Sequence, residues 1–223
     1  MNKNTNNHTT SVVAIISHGL SDNSSSSFIR TMAKKIRDLS GVIPITHDFS
    51  FARKKLTPSS NLYIEVEDLK AVIDESIKKY APDSIFLIGK SLGGLVSLAY
   101  RRKYAQEPIT AVFILGFPFK LGYPPRLNLL SESNPVLPDY FSEYRDLLRE
   151  LKVPIFIVQG DGDDLGDVQE CKELCGEFSN CSMEVIDNAS HGFTDVYSIN
   201  KTFYEECSNL VADDIKKLTN RTG

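Results

Sequence analysis

A short stretch near the middle of the chain limits the possible folds more than any other. Residues 84–88, Ser-Ile-Phe-Leu-Ile, are mostly apolar and rich in β-branched and aromatic side chains, which predicts a buried strand. Gly89-Lys90-Ser91-Leu92-Gly93 follows at once, and a stretch with helical periodicity begins directly after it. The pattern therefore predicts a strand, a sharp turn at Ser91 and a helix. The glycines of Gly-x-Ser-x-Gly let the strand and the helix approach where a Cβ atom would clash.

The segment Gly89-Lys90-Ser91 also resembles the end of a phosphate-binding loop. Such a loop has the form G-x-x-x-x-G-K-[ST], because its first glycine lets the backbone amides wrap around the phosphates. The position of that first glycine is occupied by Ser84, and residues 84–88 have the pattern of a strand. We therefore reject a nucleotide-binding interpretation.

The composition is that of a globular protein. The chain has 223 residues, of which 41% are hydrophobic and 24% are charged, and this size is ordinary for one α/β domain. We expect residues 1–11 to form a disordered N-terminal tail and residues 12–223 to form a single domain. The apolar run at residues 12–16 is too short for a signal segment or a membrane span, so we expect a cytoplasmic protein with no membrane association.

The charge and the cysteines exclude two further classes of function. The net charge is −4 and the basic residues are dispersed, which argues against nucleic-acid binding. The four cysteines contain no C-x-x-C unit, and no histidine lies at ligand spacing from them, so we expect free thiols in a reducing compartment and no metal site. These cysteines are Cys171, Cys175, Cys181 and Cys207. We expect a monomer or a homodimer.

Strand patterns and helix patterns alternate along the chain. This alternation predicts a doubly wound, mostly parallel sheet of six strands with helices on both faces. Pro44 lies within the second strand pattern and predicts an edge position, because proline cannot donate to the ladder. The predicted strands are 12–17, 42–49, 84–88, 109–115, 154–159 and 181–186, and the predicted helices are about 28–39, 62–80, 92–104, 141–151, 168–178 and 196–217. Residues 50–60 and 116–139 are predicted to be loops. Reactive groups gather at the carboxyl ends of such strands.

Three candidate catalytic groups follow predicted strands. They are Ser91, an aspartate-rich segment at residues 161–167, and His191. Their order along the chain, Ser, Asp, His, is that of the α/β-hydrolase triad. We expect His191 to take the proton of the Ser91 hydroxyl and an aspartate to orient the imidazole. The spacing after Gly160 favours Asp163, with Asp161 and Asp164 as alternatives.

The remaining site residues would hold the oxyanion and the substrate. The backbone N–H of Leu92 follows the nucleophile, and the N–H of Leu20 belongs to the loop after the first strand, so we expect both to donate to the oxyanion. We expect His18 to orient that loop, and we place His18, Phe117 and Phe119 in the substrate pocket. Each catalytic candidate also has a simpler explanation: a helix N-cap for Ser91, a turn residue for Asp163 and a loop residue for His191.

Several blocks of sequence together resemble a known superfamily. They are His18-Gly19, Asp48 to Phe51 with Arg53 and Pro58, Gly89 to Gly94, Gly116 to Phe119, Val158 to Asp163 with Gly166, and His191. With these blocks the chain resembles a small α/β-hydrolase of the dienelactone-hydrolase-like kind. It is more similar still to the group of predicted hydrolases that includes testis-expressed protein 30.

This resemblance implies a minimal fold of about six parallel strands without a cap domain, and no metal or organic cofactor. It places the triad at Ser91, Asp163 and His191. The chain departs from the pattern in two respects: no further glycine follows His18-Gly19, which leaves the second oxyanion donor open, and the residue at position 91 is not cysteine, which excludes the cysteine mechanism of dienelactone hydrolase.

The sequence leads to a main hypothesis and to alternatives. The main hypothesis is a serine hydrolase acting on a small-molecule acyl substrate, an ester, a thioester or a related carbonyl compound, through an acyl-enzyme on Ser91. The alternative from another class is a non-catalytic interaction protein with an α/β-hydrolase-like fold. A peptidase or a transferase that uses the same serine is a third possibility.

Overall fold

The computed structural model describes residues 11–39, 41–59, 62–118, 148–198 and 200–220. Its strands are β1 (Val12–Ser17), β2 (Val42–His47), β3 (Ser84–Lys90), β4 (Ile109–Leu115), β5 (Ile155–Gly160) and β6 (Cys181–Ile186). The helices named here are α1 (Ser27–Arg37), α2 (Ser50–Lys54), α3 (Tyr63–Tyr80), α4 (Leu92–Lys103), α5 (Val168–Gly176) and α6 (Tyr204–Thr219). The six strands form one sheet in the order β2-β1-β3-β4-β5-β6, and every neighbouring pair is parallel. The predicted fold class is confirmed.

Each face of the sheet is covered by its own set of helices. Val13 and Ile15 of β1 belong to a core that includes residues of α3, α4 and α5. Val12, Ala14 and Ile16 of the same strand belong to a second core, with residues of α1 and α6. Successive strand side chains point to opposite faces, so a strand buried on both faces has an unbroken apolar sequence. This arrangement explains the continuous apolar run at the start of the domain.

The second strand lies at an edge of the sheet, as its proline predicts. Among the described strands β2 pairs only with β1, in a register that sets Pro44 opposite Ala14. An edge strand is hydrogen-bonded to a neighbour on one side only, so a proline, which has no N–H to donate, is tolerated there. From this edge the sheet continues through β1 to β3, one of its two central strands.

Two predictions of element bounds are wrong by more than two residues. The predicted loop 50–60 begins with helix α2, whose first residue is held by hydrogen bonds from Ser50 N–H (2.6 Å) and Ser50 Oγ (2.7 Å) to the Asp68 carboxylate. The last helix begins at Tyr204 and not near residue 196. Asp195 accepts a hydrogen bond from Tyr197 N–H (2.8 Å) and pairs with Lys201 (2.9 Å), so these residues form a compact loop ahead of the helix.

The prediction of free thiols is wrong for one pair of cysteines. Cys175, near the end of α5, and Cys181, the first residue of β6, are joined by a disulfide. The turn between the helix and the strand brings their Cα atoms to 5.2 Å, a separation that a disulfide can span. Cys171 and Cys207 are free and buried.

Some predictions lie outside the described residues. These are the predicted tail, apart from Ser11, most of the predicted loop 116–139, with Phe119, and most of the predicted helix 141–151, of which residues 148–150 are helical. Among the helices in the described ranges, none is long and apolar enough to cross a membrane.

Candidate active site

Ser91 occupies a strained turn between β3 and α4. Its φ is 50° and its ψ is −116°, a conformation that is costly for a residue with a Cβ atom. The Ser91 N–H donates to the Leu115 carbonyl of the neighbouring strand at 2.9 Å, which anchors the turn to the sheet. The Ser91 side chain makes no capping hydrogen bond to α4. A helix N-cap therefore does not explain this serine.

The glycines on either side of Ser91 are required by close backbone contact. A Cβ atom on Gly89 would lie 2.3 Å from backbone atoms of Gly93 and Gly94, and one on Gly93 would lie 2.7 Å from the Ser17 carbonyl oxygen. Real Cβ atoms are not found at such distances from backbone atoms. The motif therefore lets the start of α4 pack directly against the ends of β3 and β1.

Ser91, His191 and Asp163 form a hydrogen-bonded chain. His191 Nε2 lies 2.8 Å from Ser91 Oγ, and His191 Nδ1 lies 2.8 Å from Asp163 Oδ2. An ionised carboxylate can only accept hydrogen bonds, so Nδ1 carries the proton and Nε2 is left to accept from the Ser91 hydroxyl. The Asp163 side chain is fully buried, whereas 14% of the His191 side chain is exposed. Ser91 follows β3, Asp163 follows β5 and His191 follows β6. Because the strands are parallel, their carboxyl ends lie at one edge of the sheet.

Asp163 is held by donors on both carboxylate oxygens. Oδ1 accepts from the Leu165 N–H (2.8 Å) and the Gly166 N–H (3.0 Å), and Oδ2 accepts from Gln159 Nε2 (2.8 Å) as well as His191. These donors fix the orientation of the carboxylate.

The two alternative aspartates are placed differently. Asp161 Oδ1 accepts from the Asn188 N–H at 2.5 Å, which ties the loop after β5 to the loop after β6, and Asp164 is exposed. Of the three candidates, Asp163 is the aspartate that contacts His191.

Gln159 supports the site and was missed by sequence reasoning. Its side chain is fully buried; Nε2 donates to Asp163 and to the Gly166 carbonyl (2.9 Å), and Oε1 accepts from the Phe117 N–H (2.6 Å). It thus joins the loop after β4 to the loop that carries Asp163. The available signal was a polar residue near the end of an otherwise apolar strand.

Gly116, directly after β4, was also missed. Its φ is +69°, and a Cβ atom there would lie 3.2 Å from His191 Nδ1 and 3.4 Å from Asp163 Oδ2. A side chain at this position would press on the hydrogen bond between the two residues, and the backbone conformation itself favours glycine. The structure thus needs glycine at position 116 on both counts.

The loop that carries His191 is fixed by a buried aromatic residue. Phe193 is fully buried and stacks on Phe28 of α1, with ring centroids 5.3 Å apart. The Ser190 N–H donates to the Thr194 carbonyl (2.8 Å), and the Phe193 N–H donates to the Ser190 carbonyl (2.9 Å). His191 therefore extends from a tight turn whose base is packed into the core.

The loop after β1 lies against Ser91. A Cβ atom on Gly19 would lie 3.3 Å from Ser91 Cβ. Within the part of the chain that the structure describes, neither the Leu20 N–H nor the Leu92 N–H donates a hydrogen bond to the protein. The assignment of these two groups to an oxyanion hole remains a prediction.

His18 bridges this loop to the end of β2. Its Nδ1 lies 2.7 Å from the Gly19 carbonyl oxygen, and its Nε2 accepts from the Phe49 N–H at 3.2 Å. With Nε2 accepting, the proton is on Nδ1 and donates to Gly19. Burial lowers the pKa of His18, which favours this neutral form. The contacts are those of a residue that orients the loop.

A cavity of about 410 Å³ opens over Ser91 and His191. Among the described residues, its apolar walls come from Leu20, Phe28, Leu165 and Tyr204, and its polar walls from Ser21, Asp22, Ser26, Ser27, Lys90 and Thr194. The prediction that His18 and Phe117 line the pocket is wrong, because both are fully buried in the protein and neither reaches the cavity. Phe119 lies outside the described residues. The first turn of α1, the first residue of α6 and the loop after β1 contribute wall residues instead.

The described ranges contain no cluster of three or more histidine, cysteine or carboxylate side chains that could hold a metal ion.

A parallel α/β sheet with a serine at a strained strand–helix turn defines an α/β-hydrolase fold. The family model of the alpha/beta hydrolase domain matches residues 10–219. The chain therefore belongs to that family. A search of the curated proteins gave no match.

Solved structures share the fold at low sequence identity. Est1E from Butyrivibrio proteoclasticus superposes with a TM-score of 0.73 at 17% identity, over 97% of this chain and 91% of that one. An alpha-beta serine hydrolase homologue from Coxiella burnetii has a TM-score of 0.66 at 22% identity, over 92% and 84% of the two chains. The Pyrococcus furiosus esterase Pf2001 has a TM-score of 0.68 at 20% identity, over 93% and 83%.

Proposed function

We propose that this protein is a serine hydrolase that cleaves a small ester, thioester or related carbonyl compound through an acyl-enzyme on Ser91. The observation that carries the proposal is the unbroken hydrogen-bonded chain from Ser91 Oγ through His191 to Asp163, beside an open cavity. A serine in a strained turn with a histidine at 2.8 Å is the arrangement that activates a hydroxyl nucleophile.

The reaction would proceed in two halves. Ser91 Oγ attacks the carbonyl carbon while its proton passes to His191 Nε2, and Asp163 stabilises the imidazolium that forms. The Leu20 and Leu92 N–H groups donate to the oxyanion, and His191 returns the proton to the leaving group as the tetrahedral intermediate collapses. Water then repeats the sequence on the acyl-enzyme and releases the acid.

The similar proteins agree with this class of reaction. One is named an esterase and another a serine hydrolase homologue, and the structure of Est1E is also known with ferulic acid bound. The narrower grouping with the dienelactone-hydrolase-like proteins and with testis-expressed protein 30 is part of this proposal. So are a cytoplasmic location and a monomeric or homodimeric state.

A fluorophosphonate probe tests the nucleophile, because it reacts with activated serines. Purified protein is labelled and digested, and the labelled peptide is identified by mass spectrometry. We expect stoichiometric labelling of Ser91 in the wild type, no labelling in Ser91→Ala, and a large loss of rate in His191→Ala. Ser97→Ala, a buried α4 serine that hydrogen-bonds the Gly93 carbonyl, is the matched serine control and should label normally.

The non-catalytic alternative makes the opposite prediction. A folded protein in which Ser91 does not label would favour an interaction module that kept the fold without turnover. Within the described ranges, Asp163 contacts His191 and the cavity reaches Ser91, so no observation favours that alternative.

A further inference from the structure

A lysine shares the cavity with the proposed catalytic residues. Lys90, the residue before Ser91, lines the cavity together with Ser91 and His191. Its ammonium group makes no hydrogen bond and no ion pair with the described residues. Lys90 Nζ lies over the Phe28 ring, 5.8 Å from the ring centroid. Burial lowers the pKa of Lys90. A cation is therefore partly removed from water without a direct counter-ion, which costs free energy.

The nearby acidic groups do not neutralise Lys90 directly. Asp22 lines the same cavity, but its Oδ1 accepts from the Asn23 N–H at 3.0 Å and forms no ion pair with the lysine. Asp163 is engaged by His191 and by three other donors. The Lys90 charge is consequently available to a ligand in the cavity.

The rest of the cavity suits a substrate with an apolar body and one charged end. Phe28 and Tyr204 are aromatic residues of its lining, and Ser21 and Ser27 line the same cavity. The first turn of α1, which supplies Ser27 and Phe28, contains no acidic residue. Hydroxyl groups and an ammonium group together are suitable donors for a carboxylate.

We propose that Lys90 selects substrates whose acyl group ends in a carboxylate, such as the monoesters of short dicarboxylic acids. This inference rests on the proposed serine hydrolase function. The acyl group is the part of the substrate that stays bound to Ser91 after the leaving group departs. A Cβ atom on Gly19 would lie 3.3 Å from Ser91 Cβ and 3.7 Å from Lys90 Nζ, so the ammonium lies close to the serine that would carry the acyl group.

A matched pair of esters tests the selectivity. Mono-4-nitrophenyl glutarate and 4-nitrophenyl valerate carry the same leaving group. The acyl chain of the glutarate ends in a carboxylate, and that of the valerate ends in a methyl group. We expect kcat/KM for the glutarate to exceed that for the valerate by at least about tenfold, the range of a hydrogen bond to a charged group. In Lys90→Met this ratio should fall by about 10- to 100-fold, and in Lys90→Arg it should be largely kept.

Two further variants separate local from general electrostatics. Lys172→Met removes one exposed positive charge from α5 and should leave the ratio unchanged. Asp22→Asn removes the competing carboxylate from the cavity and should raise the ratio. A ratio that is the same in the wild type and in Lys90→Met would overturn the inference while the esterase activity itself stands.

Binding to the inactive protein gives a readout that does not depend on turnover. Monomethyl glutarate is an anion and dimethyl glutarate is neutral, and their binding to Ser91→Ala is followed by ligand-observed NMR. We expect the anion to bind more tightly, and the difference to vanish in the Ser91→Ala, Lys90→Met double variant. Equal binding of the two compounds to Ser91→Ala would overturn the inference even if no ester were hydrolysed. Absence of turnover with preferred anion binding would instead count against the hydrolase proposal alone.

Discussion

Replacing Gln159 by methionine removes the hydrogen bonds that hold Asp163 in place but nearly preserves the side-chain volume. Gln159 is fully buried and bonds three groups: the Asp163 carboxylate, the Gly166 carbonyl and the Phe117 N–H. Methionine has no donor for the two oxygen acceptors, and its sulfur is a weak acceptor for the Phe117 N–H. Gln159→Met should therefore lower both the stability of the fold and the activity of the site.

The expected loss of stability follows from the two backbone groups. The Phe117 N–H and the Gly166 carbonyl lose their hydrogen bonds to Gln159, and leaving a buried backbone group without a partner costs about 1–3 kcal/mol. We therefore expect a decrease of about 3 kcal/mol in the free energy of unfolding. For a chain of this size that corresponds to a Tm lower by about 6–12 °C, since 1 kcal/mol shifts Tm by about 2–4 °C.

The expected loss of activity is smaller than that from removing the carboxylate. Asp163 keeps its hydrogen bonds with the Leu165 N–H, the Gly166 N–H and His191, so most of its orientation remains. We expect kcat to fall by about tenfold with little change in KM, against about 10⁴-fold for Asp163→Asn, which favours the wrong imidazole tautomer.

Urea denaturation and 4-nitrophenyl ester hydrolysis measure the two quantities. Gln169→Met is the matched control, because Gln169 is an exposed glutamine on α5 whose side chain bonds Glu173 at 3.0 Å. It should change the stability by less than about 0.5 kcal/mol and leave kcat unaltered. If the two variants behaved alike in both assays, the supporting role assigned to Gln159 would be refuted.

Two further predictions concern the turn at Ser91 and the buried His47. Gly93→Ala places a Cβ atom 2.7 Å from the Ser17 carbonyl oxygen and should destabilise the fold by at least about 2 kcal/mol in urea denaturation, whereas Gly176→Ala, with nothing within 4 Å, should be neutral or stabilising by up to about 1 kcal/mol. Equal effects of the two changes would contradict the packing argument. Burial lowers the pKa of His47 to about 4, so the unfolded state takes up a proton first as the pH falls and stability is lost below the ordinary histidine pKa. Between about pH 7 and about pH 4 this histidine should remove on the order of 3 kcal/mol, and His47→Gln should flatten the dependence; an equally steep loss in that variant would assign it to other groups.

Much of the fold could be predicted from local sequence patterns. The runs at residues 12–17 and 109–115 are the strands β1 and β4 with the predicted bounds, because strands buried between two layers have long apolar runs. Residues 181–186 form β6 with the predicted bounds, and there the signal is the alternation of an edge strand, with Ser182 and Glu184 exposed. The predicted start of α6 was wrong because Val196 and Tyr197, although apolar, lie on a loop and are 44% and 85% exposed. Local periodicity does not distinguish such residues from the buried face of a helix.

The candidate site was predictable where chemistry fixes both residue type and position. Ser91, Asp163 and His191 follow strands, and parallel strands bring such positions to one edge of the sheet. Gln159 and Gly116 were missed because their roles depend on contacts between separate loops. The prediction for His18 and Phe117 failed for a related reason: their burial is decided by tertiary packing, and residues of α1, α6 and the loop after β1 line the cavity.

The proposed reaction depends on an acyl-enzyme at Ser91, and trapping that intermediate shows whether it forms. The protein is mixed with a 4-nitrophenyl ester, quenched in acid within the first turnover, and the acylated peptide is located by mass spectrometry. We expect the acyl mass on the Ser91 peptide of the wild type, none in Ser91→Ala, and much slower formation in His191→Ala. Acylation of another residue, or ester turnover that persists in Ser91→Ala, would contradict the account.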